Sequence, residues 1–354
     1  MLSTENMGGV IITPDQLREM QANDYILHAR DGELRKVAAE KIRLPLDPQG
    51  HIQRLGLVLA PDGTIYAAQQ TIFSRSRDGG KTWEHLERNP AAFGFGGWLL
   101  QVNTAGRMIN ISRRSEEEPT TIWASDDEGA TWEQIGQIDV APLEKTEAGS
   151  SITRLGDGTL MVPIKSRDEE FYESTNPTYV FRSNDGGHTF PQRSFLSDYG
   201  NEVNIAELYP GHLLAVIRYQ PGPPDQPHTN KTAFLADSTD GGATWNNLRQ
   251  LTTENGQCHG AAVGLSNNRV VVTYDHRYPR EMASGRGMVS HDNGRTWPDE
   301  VYYLCHGNTA GFTRHITLDR EEILTLAGSH YGEVTGWEDE IGKAHFCITR
   351  WRPV

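Results

Sequence analysis

The chain has 354 residues, 36 glycines, 18 prolines and a formal net charge of −14. That acidic balance excludes nucleic acid or an anionic membrane surface as the main partner. The three cysteines, Cys258, Cys305 and Cys347, are too few and odd in number to form a disulfide framework.

Residues 1–33 read as an N-terminal extension with a helical-looking stretch at Pro14–Gln21. The opening MLSTENMGGV has no basic segment followed by an apolar run, and no apolar stretch approaches the ~20 residues that span a bilayer. The expectation is a cytoplasmic protein that does not engage a membrane.

From residue 34 onward one pattern governs the sequence. SRDGGKTW at 76–83 returns as SDDEGATW at 125–132, SNDGGHTF at 183–190, STDGGATW at 238–245 and SHDNGRTW at 290–297. Each copy is Ser-x-Asp-x-Gly-x-Thr followed by an aromatic residue. The Asp can accept hydrogen bonds from turn amides, and the Gly can take a backbone angle closed to other residues. The aromatic side chain can pack between neighbouring sheets. Asp78, Asp127, Asp185, Asp240 and Asp292 are therefore expected to shape turns rather than to catalyse.

The spacing of the copies accommodates one four-stranded sheet per repeat, the blade of a β-propeller. Ahead of each box lies an apolar strand, a turn and another apolar strand, as in RLGLVLAPDGTIYAA from Arg54 and IAELYPGHLLAVI from Ile205. A sixth such unit starts at Gly311 and leads to KAHFCITRW at 343–351, after which the chain ends without a box. The sequence thus predicts an all-β, six-bladed propeller over residues 34–354. Its last blade would be completed by the N-terminal segment Leu34–Leu44, which would close the ring.

In such a ring the start of each first strand and the end of each second strand share one mouth. Eight residues beyond equivalent turn positions lie Arg113, Lys165 and Arg218 in successive repeats, with Arg277 at the corresponding end of a later one. A cationic rim of this kind suits a carboxylate or sulfate. His259 and His276 begin and end antiparallel strands of one repeat and could form an acid/base pair.

These boxes resemble the sialidase superfamily over nearly the whole chain from His51. The segment NEVNIAELYPGHLLAVIR at 201–218 is similar to the sialidase stretch carrying a catalytic glutamate and a carboxylate-binding arginine. The resemblance implies those roles for Glu202 and Arg218. Elsewhere the chain departs from the family. Gln53 stands where the first arginine belongs, with Arg54 one residue off. The stretch AAQQTIF ahead of the first box contains no carboxylate to match the family's acid/base aspartate, and Phe312 stands where the resemblance places the nucleophilic tyrosine. Tyr219 or Tyr331 would have to substitute, and Arg280 and Arg286 are imperfect candidates for the third arginine. YDHRYPREMASGRGMVSHDNGRTW, from Tyr274, resembles a group of bacterial sialidase-like proteins.

The resulting expectation is an enzyme on an anionic oligosaccharide or glycoside, a sialidase-like glycoside hydrolase. Glu202, His259, His276 and Tyr219 are the catalytic candidates; Arg218, Arg113, Lys165, Arg277 and Arg54 are the substrate-binding ones. A polysaccharide lyase acting on a uronate through the histidines is the alternative. A non-catalytic propeller that binds a glycan or protein is a third reading. No cofactor is expected, and the Cys–His separations match no compact zinc motif.

Overall fold

The computed structural model describes residues 5–45, 56–68, 72–87, 100–112, 119–141, 143, 146–149, 151–166, 176–221, 231–307, 313–329 and 345–354. The fold is all-β and propeller-like. A helix at Pro14–Ala22 begins at a capping box, in which the Thr13 hydroxyl accepts from the Gln16 amide and the Gln16 side chain accepts from the Thr13 amide. Leu17 and Met20 bury its inner face against Leu27, Val301 and Tyr303.

Each Asp box behaves as a local hydrogen-bonded knot. In the fourth copy Asp240 accepts from the Ser238 hydroxyl at 2.8 Å, the Thr244 amide at 2.9 Å and the Thr244 hydroxyl at 2.7 Å. The Thr244 bonds, more than any other cause, hold the Asp240 carboxyl down to about 2. Gly242 closes the turn at φ +82, and a Cβ there would lie 2.8 Å from the Met161 side chain. The other four boxes repeat the Ser-to-Asp and Thr-to-Asp bonds.

Between the boxes, antiparallel strands form sheets of four strands at residues 56–87, 100–137 and 313–351, the last including Glu40–Pro45. A sheet of five spans 146–197. Two expectations need correction. Hydrogen bonding does not delimit six separate sheets, because the repeats from Gly200 to His306 join in one ten-stranded sheet through the parallel pair Thr232 and Gln257. The stretch Leu34–Leu44 is not one strand either. Glu33–Ala38 folds back on Tyr25–Arg30 around Asp31 and Gly32, both at positive φ, and this hairpin extends the ten-stranded sheet beside Glu300–Tyr303. Only Glu40–Pro45 pairs with the last strand, His345–Trp351.

The first strands of the repeats are Gly56–Leu59, Leu100–Val102, Thr153–Arg154, Gly200–Tyr209, Gln257–Gly264 and Thr313–Thr317. They neighbour one another in that order, and the last also neighbours the first. Together they wall a central cavity of about 260 Å³. Leu, Ile and Val side chains between successive sheets make the core, as in the cluster of Ile109, Ile122, Leu160, Val162 and Phe181. Among the described residues no helix is long and apolar enough to cross a membrane.

Candidate active site at one mouth of the propeller

Antiparallel pairing puts the start of a first strand beside the end of its second strand. Glu202 opens Gly200–Tyr209, and Arg218 lies near the end of its partner His212–Tyr219. In the next repeat His259 lies near the start of Gln257–Gly264, while Asp275 and then Arg277 end Val270–His276 and its extension.

These five side chains meet in an alternating row. Arg218 Nη1 donates to both Glu202 oxygens, at 2.9 and 2.7 Å, and lies 2.8 Å from His259 Nε2. His259 sits between two carboxylates, with Nε2 3.3 Å from Glu202 Oε2 and Nδ1 3.3 Å from Asp275 Oδ1. Arg277 closes the row, donating from Nε to Asp275 Oδ2 at 2.6 Å, with Nη2 2.7 Å from His259 Nδ1. Arg218 Nη2 also donates to the Gln220 side-chain oxygen Oε1 at 2.8 Å.

The position of His259 depends on a local irregularity. Strand register shifts between Cys258 and Ala261, and His259 takes φ +51, a conformation uncommon for a residue with a Cβ. Gly260 follows, where a Cβ would lie 2.5 Å from a Val216 methyl, so this inner strand approaches the second strand of the preceding repeat closely only because it has none. Strain held at a convergence of charges marks a candidate functional position.

Burial alone would raise the Glu202 carboxyl, but Arg218 and His259 outweigh it and hold the group well below the usual carboxylate range. Burial likewise opposes charge on His259. The Cys258 sulfur and the carboxylates Glu202 and Asp275 overcome both burial and Arg277, raising the imidazole to about 9. Asp275 is held ionised against burial by Arg277 and His259. The row thus alternates, with Glu202 and Asp275 held as anions between Arg218 and Arg277 and His259 between the two carboxylates. Glu202 keeps 17% exposure and Asp275 has none, so of the two only Glu202 can touch a ligand.

Further cations surround this row. Lys165 bonds the Asn201 side-chain oxygen and lies 3.2 Å from Glu147. Lys231 is buried, and its ammonium is pushed down by burial and then by Arg218 and Arg277. Arg314, on the last inner strand, is pushed down to about 9 by burial, with Glu202 opposing that shift. The structure thus brings together Glu202, Arg218, His259, Arg277 and Lys165, and adds Asp275, Lys231 and Arg314, which sequence reasoning missed. Asp275 had a readable signal, since it stands two residues before Arg277 and must share its face of the strand.

Other expected members stand apart. His276 does not join His259: it neighbours Asp275 along the strand and so faces the opposite side, beside Gln257, where Nδ1 and the Gln257 amide are 3.2 Å apart. Burial, then Arg286, pushes it down to about 3, leaving it neutral. Tyr219 alternates away from Arg218 in the same manner and stacks on Phe234 at 4.2 Å. Arg286 donates to the Ser284 hydroxyl and lies over the Tyr303 ring, within the core. Arg54, Arg113, Gln53, Phe312 and Tyr331, and the side chain of Arg280, lie outside the described residues.

Cys258, His259 and Asp275 place one potential metal-ligand atom each within 4.8 Å of one another. The Arg277 guanidinium already faces His259 Nδ1 and is bonded to Asp275, so this cluster does not suit a cation. Cys305 is buried, and burial pushes its thiol up to about 12; His306 Nε2 lies 3.0 Å from the Glu281 carbonyl.

Repeated Asp boxes, a propeller-like array and a charged mouth at the strand ends define a sialidase-like propeller. The chain belongs to the BNR repeat-like domain family, whose model matches residues 98–345. A curated sialidase of Bacteroides fragilis is 26% identical over 317 residues, 74% of this chain and 54% of that protein. The chain therefore spans about half the length of that relative. A solved protein of unknown function from Dyadobacter fermentans matches with a TM-score of 0.68 at 17% identity, covering 89% of this chain and 98% of that one. A Hadza microbial sialidase matches at TM-score 0.61 and 18% identity, over 85% and 65% of the two chains. The Fusarium graminearum α-L-arabinofuranosidase Arb93A matches at TM-score 0.61 and 16% identity, over 89% and 97%. At these identities the structural matches establish fold alone. At superfamily level the chain is a divergent, glycoside-hydrolase-like propeller.

Proposed function

We propose that the protein is a glycoside hydrolase acting on a sugar that carries a carboxylate. The observation that carries this reading is the convergence of Lys165, Arg218, Lys231, Arg277 and Arg314 around the ionised Glu202, in a chain whose net charge is −14. The substrate carboxylate pairs with the guanidinium groups of Arg218 and Arg277. Glu202 accepts a proton from the attacking group, and His259, charged at neutral pH, is the proton donor beside it. Asp275 acts through His259, fixing its orientation and its charge.

The array is read as a ring of six units. The cyclic order of the first strands supports this, as does the pairing of Glu40–Pro45 with the last strand, which ties the two ends of the domain together. The ten-stranded sheet is then two units joined edge to edge, with the hairpin at residues 25–38 added to the second.

The test is a product screen by mass spectrometry on sialosides, uronate-containing oligosaccharides and neutral arabinosides, with ultraviolet absorbance recorded alongside. Hydrolysis predicts products that together gain one water from an acidic substrate but not from a neutral one. Glu202→Gln should then lower kcat/KM by about 10²–10⁴-fold with the fold retained. Products without added water, and with an unsaturated-uronate chromophore, would replace hydrolysis by elimination. Binding without turnover, unaffected by Glu202→Gln, would overturn both in favour of a binding module.

A further inference from the structure

We infer that Asn204 and Thr313, on the two inner strands that flank His259, are positioning residues that set the aim of its imidazole. The inference rests on the reading of His259 as the proton donor and goes beyond it by naming what holds that donor in place. Both residues bond the backbone around His259 rather than its ring.

Cys258 pairs with Asp275 and Ala261 with Thr273, so His259 and Gly260 together stand opposite Tyr274 alone. This is a β-bulge, which takes residues out of the ladder and re-aims their side chains. In regular pairing His259 would stand opposite Tyr274 and share its face of the sheet, the face away from Asp275. The bulge, with φ +51 at His259, turns the ring to Asp275 instead, and Nδ1 lies 3.3 Å from Oδ1. A residue with a Cβ keeps such a backbone angle only where its surroundings enforce it.

The enforcement comes from both sides. Buried carbonyls displaced from a ladder need other donors. Asn204 Nδ2, on Gly200–Tyr209, donates to the Gly260 carbonyl at 2.7 Å. Thr313 Oγ1, at the start of Thr313–Thr317, donates to the His259 carbonyl at 3.4 Å. The Thr273 hydroxyl donates to Thr313 Oγ1 at 3.0 Å, which leaves Thr313 its own hydrogen for that carbonyl. All three side chains are buried. Two successive peptide units are therefore held, one by the preceding inner strand and one by the following one. Removing either donor leaves a buried carbonyl unpaired, a cost relieved by rotating the peptide towards regular register. That rotation carries the imidazole away from Glu202 and Asp275.

The test reads His259 itself. Isotopically labelled histidine in the full chain would be titrated by NMR, the His259 resonance being the one that His259→Gln removes. In the wild type it should titrate near 9. Asn204→Leu and Thr313→Val keep the shape and delete the donor. Each should move that titration towards the ordinary 6.5. Each should also lower kcat by about 10–10²-fold with KM little changed, because a displaced proton donor loses rate rather than binding. Thr313→Ser keeps the hydroxyl and should restore both readings. If Asn204→Leu does not fold, the Thr313 pair carries the test. A His259 titration unchanged in whichever variant folds, even with Tm lowered, would make these residues mere packing and overturn the inference, as would no recovery in Thr313→Ser. A shifted titration in a protein whose turnover survives Glu202→Gln would uphold the clamp and overturn the hydrolase reading instead.

Discussion

Replacing Asp275 by Asn tests the alternating row of charges directly. Asp275 is wholly buried, takes the Arg277 Nε–H at 2.6 Å and faces His259 Nδ1 at 3.3 Å. Asparagine keeps the shape and removes the charge, leaving an imidazolium and a guanidinium adjacent with no anion between them. Removing one partner of a buried pair costs about 3–5 kcal/mol. Unfolding entropy of about 2.1 cal/mol/K per residue gives roughly 0.7 kcal/mol/K for this chain, so Tm should fall by about 4–7 °C. The pH dependence should change too. Because the His259 pKa is raised to about 9, the stability it contributes is fully present below its unfolded value and lost as pH rises through 9. A rise from 6.5 to about 9 is worth roughly 3 kcal/mol. Asp275→Asn removes part of that rise, so the alkaline loss of stability should still begin near the unfolded value but be smaller and end at lower pH. Urea unfolding monitored by tryptophan fluorescence between pH 6 and 9.5 measures both quantities. A variant within about 1 kcal/mol of wild type at pH 7, or one with the same slope between pH 6.5 and 9, would refute the charged row.

Asp240→Ala deletes the acceptor of three turn hydrogen bonds and should cost about 2–3 kcal/mol in urea unfolding, without altering ligand affinity per folded molecule. Glu300 is buried and bonded by His28, Tyr302, His291 and Arg30, with its carboxyl held at about 2 against burial. Its stabilising contribution should be present above the ordinary carboxylate range and lost as pH falls towards 2. Glu300→Gln should release the hairpin at residues 25–38 to proteolysis; continued protection would show that the buried carboxylate does not hold it. Lys231→Met should weaken an acidic ligand by about tenfold, which calorimetry would read as about 1.4 kcal/mol, and leave a neutral analogue unchanged. Equal losses for both would assign Lys231 to packing.

The Asp boxes were legible because their bonds close within four residues: Ser-x-Asp-x-Gly-x-Thr contains its own donors, acceptors and turn residue. Glu202 and Arg218 were legible because one hairpin carries both to one end, even though its register shifts between Gly200 and Val203. The histidines were misread because neighbouring positions on a strand face opposite ways, while the irregularity at Cys258–Ala261 turns His259 towards the mouth. No local pattern announces that irregularity, since His259 adopts a positive φ without being a glycine. The N-terminal segment was misread for a related reason. Asp31 and Gly32 make a tight turn that captures Glu33–Ala38 locally, and only the residues after Ala39 remain to pair with the chain's end.

Net charge proved a poor guide to the mouth, and the reason is geometric. The exposed carboxylates that make the chain acidic lie largely in surface ion pairs and turns, where water screens them; Glu33, Glu84 and Asp319 are examples. Arg218, Lys231, Arg277 and Arg314 are drawn into a poorly solvated rim, where the same unit charge acts over a longer range. The potential that an incoming ligand meets at contact is set by the second group. Under the proposed function, what would select an anion is where the strand ends fall, and the repeat length fixes that by returning each first strand to the same axis.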